Sequence, residues 1–192
     1  MNDFITIVSG LPRSGTSMMM SALVAGGLQA LTDNIRTADE DNPKGYFELE
    51  KVKELDRDNS WLEDAGGKVV KIISALLKRL PGQYHYKIIF MRRNMDEVLA
   101  SQKQMLIRRK EPTDKVSDER MAEMFGKHLR AVEAWLEKQP NMDVLYVSYN
   151  EVLNNPAANV ETINSFLGNT LDAEKMTSAV DRTLHRQQSR AL

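Results

Sequence analysis

The sequence predicts an α/β fold, a parallel β-sheet flanked by helices on both faces, in a single domain covering residues 1–192. Three observations predict it. Short apolar, β-branched runs recur at Phe4–Ser9, Lys68–Ile73, Tyr86–Met91 and Asp143–Ser148, the signature of buried strands. Segments of helical period separate them, and alternation of the two types favours a parallel sheet. A glycine-bearing loop, Gly10–Gly15, joins the first strand to the first helix, and open sheets of this kind bind ligands at the carboxyl ends of their strands.

The elements follow in order. Thr16 to Ala25 is predicted helical and ends at Gly26-Gly27. Ala38–Gly45 (ADEDNPKG) is polar and rich in breakers, hence a loop. A polar helix is expected from Phe47 to Trp61, and a short one from Ser74 to Leu80, stopped by Pro81-Gly82. Met95 to Arg109 forms a helix whose start, Asn94 with Glu97 three residues on, is close to a capping box. Ser117 to Lys138 carries an apolar stripe, Met121, Phe125, Leu129, Val132 and Leu136, that faces the core. Asn155 caps a helix with Pro156 in its first turn, ending at Gly168. The tail after Leu171 is helical and charged.

Composition narrows the function. With 42% hydrophobic and 28% charged residues the chain is an ordinary globular protein. A net charge of −1 gives no general attraction to nucleic acid or to a membrane surface. No cysteine is present, so disulfides, thiolate metal sites and a cysteine nucleophile are excluded. The start, Met1-Asn2-Asp3-Phe4, lacks a signal-peptide pattern, and the most apolar stretch, Met18–Leu31, is too short to span a bilayer. A soluble, cytoplasmic protein is expected.

Gly10-Leu11-Pro12-Arg13-Ser14-Gly15-Thr16-Ser17 has the spacing of a phosphate loop. Its glycines let backbone N–H groups turn inward, and the following helix adds its positive end. The lysine that a nucleoside triphosphatase places after the second glycine is Thr16 here, and the cation is Arg13. No apolar strand ends in a carboxylate suited to magnesium; the run Tyr86–Met91 ends in Arg92-Arg93. Direct anion binding, without a metal, is expected. The alternative is a tight turn with incidental glycine and serine.

Val8–Ser17 resembles the 5′-phosphosulfate loop of the sulfotransferases that use 3′-phosphoadenosine 5′-phosphosulfate (PAPS), with Arg13 where cytosolic members carry Lys, as in the tyrosylprotein and many bacterial members. The family's second motif, an Arg at a strand end and a Ser eight residues later, is matched by Arg93 and Ser101. Ser101 lies two helical turns beyond Asn94, so both side chains can converge on one phosphate. Arg92 is either the pointing residue or its solvated neighbour. A third stretch, Val147–Leu153 with Asn155-Pro156 and Phe166-Leu167-Gly168, resembles the family's scaffold around its last strand.

The resemblance implies a three-layer phosphate-loop sandwich. PAPS is the co-substrate and 3′,5′-ADP the product, with Pro12, Arg13, Ser14, Gly15, Thr16, Ser17, Arg93 and Ser101 as the binding residues. Sulfuryl transfer proceeds in line through a loose transition state, and Arg13 is the expected stabiliser of the charged leaving oxygen. Lys71 occupies the family's second strand-end lysine position; it either assists or lies along the strand surface as a snorkelling lysine. The histidine that cytosolic members place two residues later is Ile73 here. Asp41–Glu48 resembles a bacterial segment, and Glu48 is the candidate general base, with Glu50 behind it; a solvated helix glutamate is the alternative. His85, His128 and His185 show no ligand spacing. The chain lacks the Arg-Lys-Gly segment with which cytosolic members finish the nucleotide site, and Arg182, Arg186 or Arg190 would substitute. Two other classes remain open: a sulfotransferase-like protein without turnover, and a metal-dependent kinase or triphosphatase. The acceptor is a small molecule, carbohydrate or peptide. Polar loops at Thr32–Gly45 and Arg109–Lys115, with only five Phe and two Trp, favour a polar hydroxyl.

Overall fold

The structure is a computed structural model that describes residues 4–33, 35, 45–113 and 115–181. Four strands, β1 (Phe4–Gly10), β2 (Val69–Lys71), β3 (His85–Arg92) and β4 (Met142–Ser148), form one sheet in the order β2-β1-β3-β4. Every neighbouring pair is parallel, with Val8 beside Lys71, Gly10 beside Met91 and Arg92 beside Ser148. The parallel direction brings the carboxyl ends of the strands to one edge, where the loop after β1, Lys71 and Arg93 emerge.

Alternation along each strand divides the core into two layers. Ile5, Ile7, Val70, Ile72, Ile88 and Phe90 pack against Val132 and Leu136 of helix α3 (Asp118–Leu136) and against the short helices that follow β2 and precede it. On the other face Val8, Val69, Ile89 and Met91 meet Met19, Met20 and Leu23 of helix α1 (Thr16–Ala25). Helices α4 (Tyr149–Asn154), α5 (Pro156–Phe166) and α6 (Ala173–Ala179) complete that layer through Val152, Val160, Ile163 and Met176. Helix α2 (Met95–Arg108) follows β3 and buries Val98 and Leu99. The parallel sheet covered on both faces is the predicted fold class.

Several local expectations are corrected. Phe47–Trp61 is not one α-helix; two 3-10 helices, Glu50–Glu54 and Ser60–Asp64, stand there. The buried positions Val52 and Leu55, with half-buried Leu49 before them, recur every three residues, which suits three residues per turn. Ser74–Arg79 is likewise a 3-10 helix. Asn94 does cap α2, accepting from the backbone N–H groups of Asp96 and Glu97, but Glu97 does not reach back to complete a capping box; its carboxylate turns to Arg93 instead. Asn155 occupies the N-cap position of α5 without a side-chain cap bond. The stretch Tyr149–Asn154 forms an extra helix, α4, capped by Ser148.

Candidate active site

The loop after β1 is shaped by two glycines at which any side chain would strain the backbone and crowd its neighbours. Gly10 has φ 145°, and a Cβ on it would stand 2.5 Å from Ser14 Oγ and 2.6 Å from Met91 O. Gly15, at φ 97°, precedes α1, and a Cβ there would enter the ring of Tyr149. Between them Ser14 Oγ and Ser14 N both donate to Leu11 O, at 2.7 and 3.2 Å, which closes the turn. Arg13 itself sits in the left-handed region, φ 70°. The first turn of α1 holds no acidic side chain and no side-chain cap, so its amide dipoles are not offset locally. Pro12 is exposed, whereas Thr16 and Ser17 are half-buried in the first turn.

Two distant segments meet at this loop. Arg13 Nε donates to Ser101 Oγ of α2 at 2.9 Å. Arg93 NH1, from the end of β3, donates to Arg13 O at 3.1 Å. The three residues singled out from two separate motifs are therefore one cluster. Their arrangement is crossed: Ser101 meets Arg13 across the chain, and Arg93 reaches the loop backbone.

Arg93 is held on three sides. Its side chain is 7% exposed and that of Glu97 only 2%, with Nε to Oε2 at 2.9 Å. Glu97 Oε1 accepts from Asn150 Nδ2 at 3.0 Å. The guanidinium lies 4.3 Å from the centroid of the Tyr149 ring, a cation–π distance. Burial pushes the Tyr149 hydroxyl pKa up, against the opposing pull of Arg93, so the phenol keeps its proton and remains a donor. Arg92 points elsewhere. It pairs with Glu133 of α3 at 2.9 Å and stacks 3.9 Å from the Tyr146 ring. Of the two neighbouring arginines, Arg93 is the one that reaches the loop.

On the other flank of β1, Lys71 Nζ approaches Ser17 Oγ at 3.5 Å, donates to Tyr46 O and stands 3.6 Å from Glu48 Oε1. Lys71 is therefore directed at the loop rather than along the surface. The Glu48 backbone is pinned from behind, its carbonyl accepting from Thr32 Oγ1 at 2.9 Å and Asp33 N at 3.2 Å. The Asp33 carboxylate in turn accepts from Glu50 N at 2.6 Å and Ile35 N at 3.0 Å, and these backbone bonds hold its pKa below the usual carboxylate value. Glu48 precedes the first 3-10 helix rather than lying on a helix, while Glu50 is exposed and bound to Lys53.

His85 pairs with Asp143 on the surface, and His128 Nε2 stands 2.9 Å from Ser74 Oγ. Asp41 to Lys44, His185, Arg182, Arg186 and Arg190 lie outside the described residues. Among the described residues no helix is long and apolar enough to cross a membrane. A cavity of about 150 Å³ opens beside the loop between Leu11, Ser14, Arg93, Val98, Leu129 and Glu133, about half the ~300 Å³ of the smallest ligand pockets. Glu97, Tyr149 and Asn150 join the cluster although the sequence offered Glu97 as a capping residue and the other two as scaffold. The usable signal for Glu97 was its place four residues after Arg93. In chemical terms the edge gathers two guanidiniums and an ammonium around a helix N-terminus, with the Glu97 carboxylate paired to Arg93 and the Glu48 carboxylate beside Lys71: a binder of a polyanion with a proton acceptor at hand.

Comparison with known proteins gives a consistent picture. A profile described as the sulfotransferase domain matches residues 5–190. Sulfotransferase 1B1 of the mouse, Mus musculus, is 38% identical over 61 residues, a stretch covering 32% of this chain and 19% of that protein. Among solved structures, mouse sulfotransferase SULT7A1 complexed with PAP superposes with a TM-score of 0.59 at 16% identity, over 98% of this chain and 69% of that one. The sulfotransferase domain from the curacin biosynthetic pathway gives 0.52 at 14% identity, over 98% and 93%. The corresponding domain of the Synechococcus PCC 7002 olefin synthase gives 0.54 at 14%, over 98% and 88%. At such identities the superpositions speak for the fold alone.

Proposed function

The chain belongs to the sulfotransferase domain family, and on that premise we propose that residues 1–192 form one catalytic unit moving a sulfuryl group from PAPS to a hydroxyl or amine acceptor. The observation that carries the reading is the junction of Arg13, Ser101 and Arg93, with bonds of 2.9 and 3.1 Å. A donor with a phosphosulfate at one end and a 3′-phosphate at the other needs two cationic subsites on one edge. The relative complexed with PAP supports the same ligand class.

In this scheme the loop amides of Ser14 to Ser17, with the Thr16 and Ser17 hydroxyls, cradle the 5′-phosphosulfate. Arg93 and Ser101 take the 3′-phosphate. The bond between sulfur and the 5′-phosphate oxygen breaks as the bond to the acceptor oxygen forms. Arg13 stabilises charge gathering on the leaving oxygen, Lys71 assists from the opposite flank, and Glu48 accepts the acceptor's proton. No step in this scheme requires a metal. A polar small molecule, carbohydrate or peptide fits the polar loops around Glu48, and the cysteine-free composition fits a cytoplasmic setting.

A thermal-shift titration tests the reading. Stabilisation by 3′,5′-ADP is expected without magnesium, weakened sharply in Arg93→Ala. A response confined to ATP with magnesium would replace this function with a kinase or triphosphatase. One observation favours a second reading, a nucleotide binder without turnover: Ile73 stands where cytosolic members carry histidine. Sulfate transfer that disappears in Arg13→Ala would dispose of it.

A further inference from the structure

Glu97 is a carboxylate buried inside a site meant for anions, and anion binding alone does not explain it. A negative charge beside the arginine that receives a phosphate weakens the attraction, unless its benefit lies in geometry. Both of its oxygens are engaged, Oε2 by Arg93 Nε at 2.9 Å and Oε1 by Asn150 Nδ2 at 3.0 Å. The Arg93 plane meanwhile rests 4.3 Å from the Tyr149 ring centroid, and its NH1 engages the carbonyl of Arg13. A guanidinium with a 7% exposed side chain has little water to solvate it, and an unpaired charge in such a place turns outward or destabilises its surroundings.

We propose that Glu97, braced by Asn150, is the positioning residue of the second anion subsite. It fixes Arg93 by its Nε edge so that the outer part of the guanidinium faces the loop and the 3′-phosphate before any ligand arrives. This preorganisation removes the ordering cost that a swinging arginine would add to binding. The inference rests on the sulfotransferase reading, because that reading assigns Arg93 to the 3′-phosphate. Glu97 does not touch the ligand; it acts through Arg93.

The discriminating quantity is the ratio of dissociation constants for 5′-AMP and 3′,5′-ADP, measured by calorimetry on the full chain. The wild type is expected to prefer 3′,5′-ADP strongly. Glu97→Gln, nearly isosteric, is expected to lower the ratio about tenfold by weakening 3′,5′-ADP while leaving 5′-AMP within about twofold. Asn150→Ala, which keeps the ion pair but removes its brace, is expected to lower it about threefold, and it carries the test if Glu97→Gln does not fold. A role confined to stability would lower the melting temperature and leave the ratio unmoved. An unchanged ratio, or tighter 3′,5′-ADP binding from the lost negative charge, overturns the proposal. A wild type that does not discriminate between the two nucleotides overturns the sulfotransferase reading instead, and this inference with it.

Discussion

Arg13 Nε and Ser101 Oγ, 88 residues apart in the chain, stand 2.9 Å from each other. The first loop and the second helix are therefore fastened by side chains that also face the anion edge. Under the proposed function, a substitution at either residue is expected to act on both anion subsites.

Ser101→Ala removes one bond to a charged group and leaves Arg13 without that anchor. Such bonds are worth ~1.5–3 kcal/mol, so 3′,5′-ADP is expected to bind roughly ten- to a hundredfold more weakly. Calorimetry measures it directly, and affinity equal to wild type would place Ser101 outside the nucleotide site.

Arg13→Ala takes away the cation assigned to the leaving oxygen. Loss of one preorganised donor costs ~10²–10³ in kcat, and the lost bond to Ser101 lowers the melting temperature as well. A labelled-sulfate transfer assay beside a thermal melt separates the two effects.

Gly15→Ala places a methyl group against the Tyr149 ring at a φ of 97°. Strained backbone of this kind costs ~1–3 kcal/mol, and each kcal/mol lowers the melting temperature by roughly 2–4 °C in a chain of this size. Ligand stabilisation should vanish as well, since the displaced ring also supports Arg93. A variant that melts and binds normally would remove the loop from consideration.

Glu48→Gln keeps the shape of the candidate base and removes its proton affinity. General-base loss lowers rates ~10²–10⁴-fold, with donor binding unchanged. If the rate falls no more than twofold, another residue takes the proton.

His128 supplies a pH signature independent of the chemistry. Burial first, and Lys78 second, lower its pKa from the ordinary 6.5. Between 6.5 and the lower folded value the unfolded chain binds the extra proton, so stability is intact above pH 6.5 and declines as the pH falls through that window. The difference in melting temperature between wild type and His128→Gln should be constant above pH 7 and change with pH below 6.5.

Much of this site was legible in the sequence because its defining residues are local. Gly10, Arg13, Gly15 and Thr16 follow a strand and open a helix, and Arg93 just before α2 keeps its eight-residue spacing to Ser101 on that helix. The strand, loop and helix around them needed only period and glycine placement. Glu97 was misjudged because the capping pattern after Asn94 offered it a local partner, while the tertiary structure gave it Arg93 and Asn150. Tyr149 was read only as scaffold: its contact with Gly15 and Arg93 depends on β4 lying beside β3. The 3-10 helices were missed because apolar residues three apart satisfy two helical periods over so short a run.

The sheet order sets β1 between β2 and β3, and it has a temporal consequence during synthesis. Arg13 leaves the ribosome before its partners Arg93 and Ser101, which follow 80 and 88 residues later in the chain. Those side chains can close on the loop only once β3 and α2 have been made. Under the proposed function, nucleotide therefore fastens a fold whose central strands are already in place.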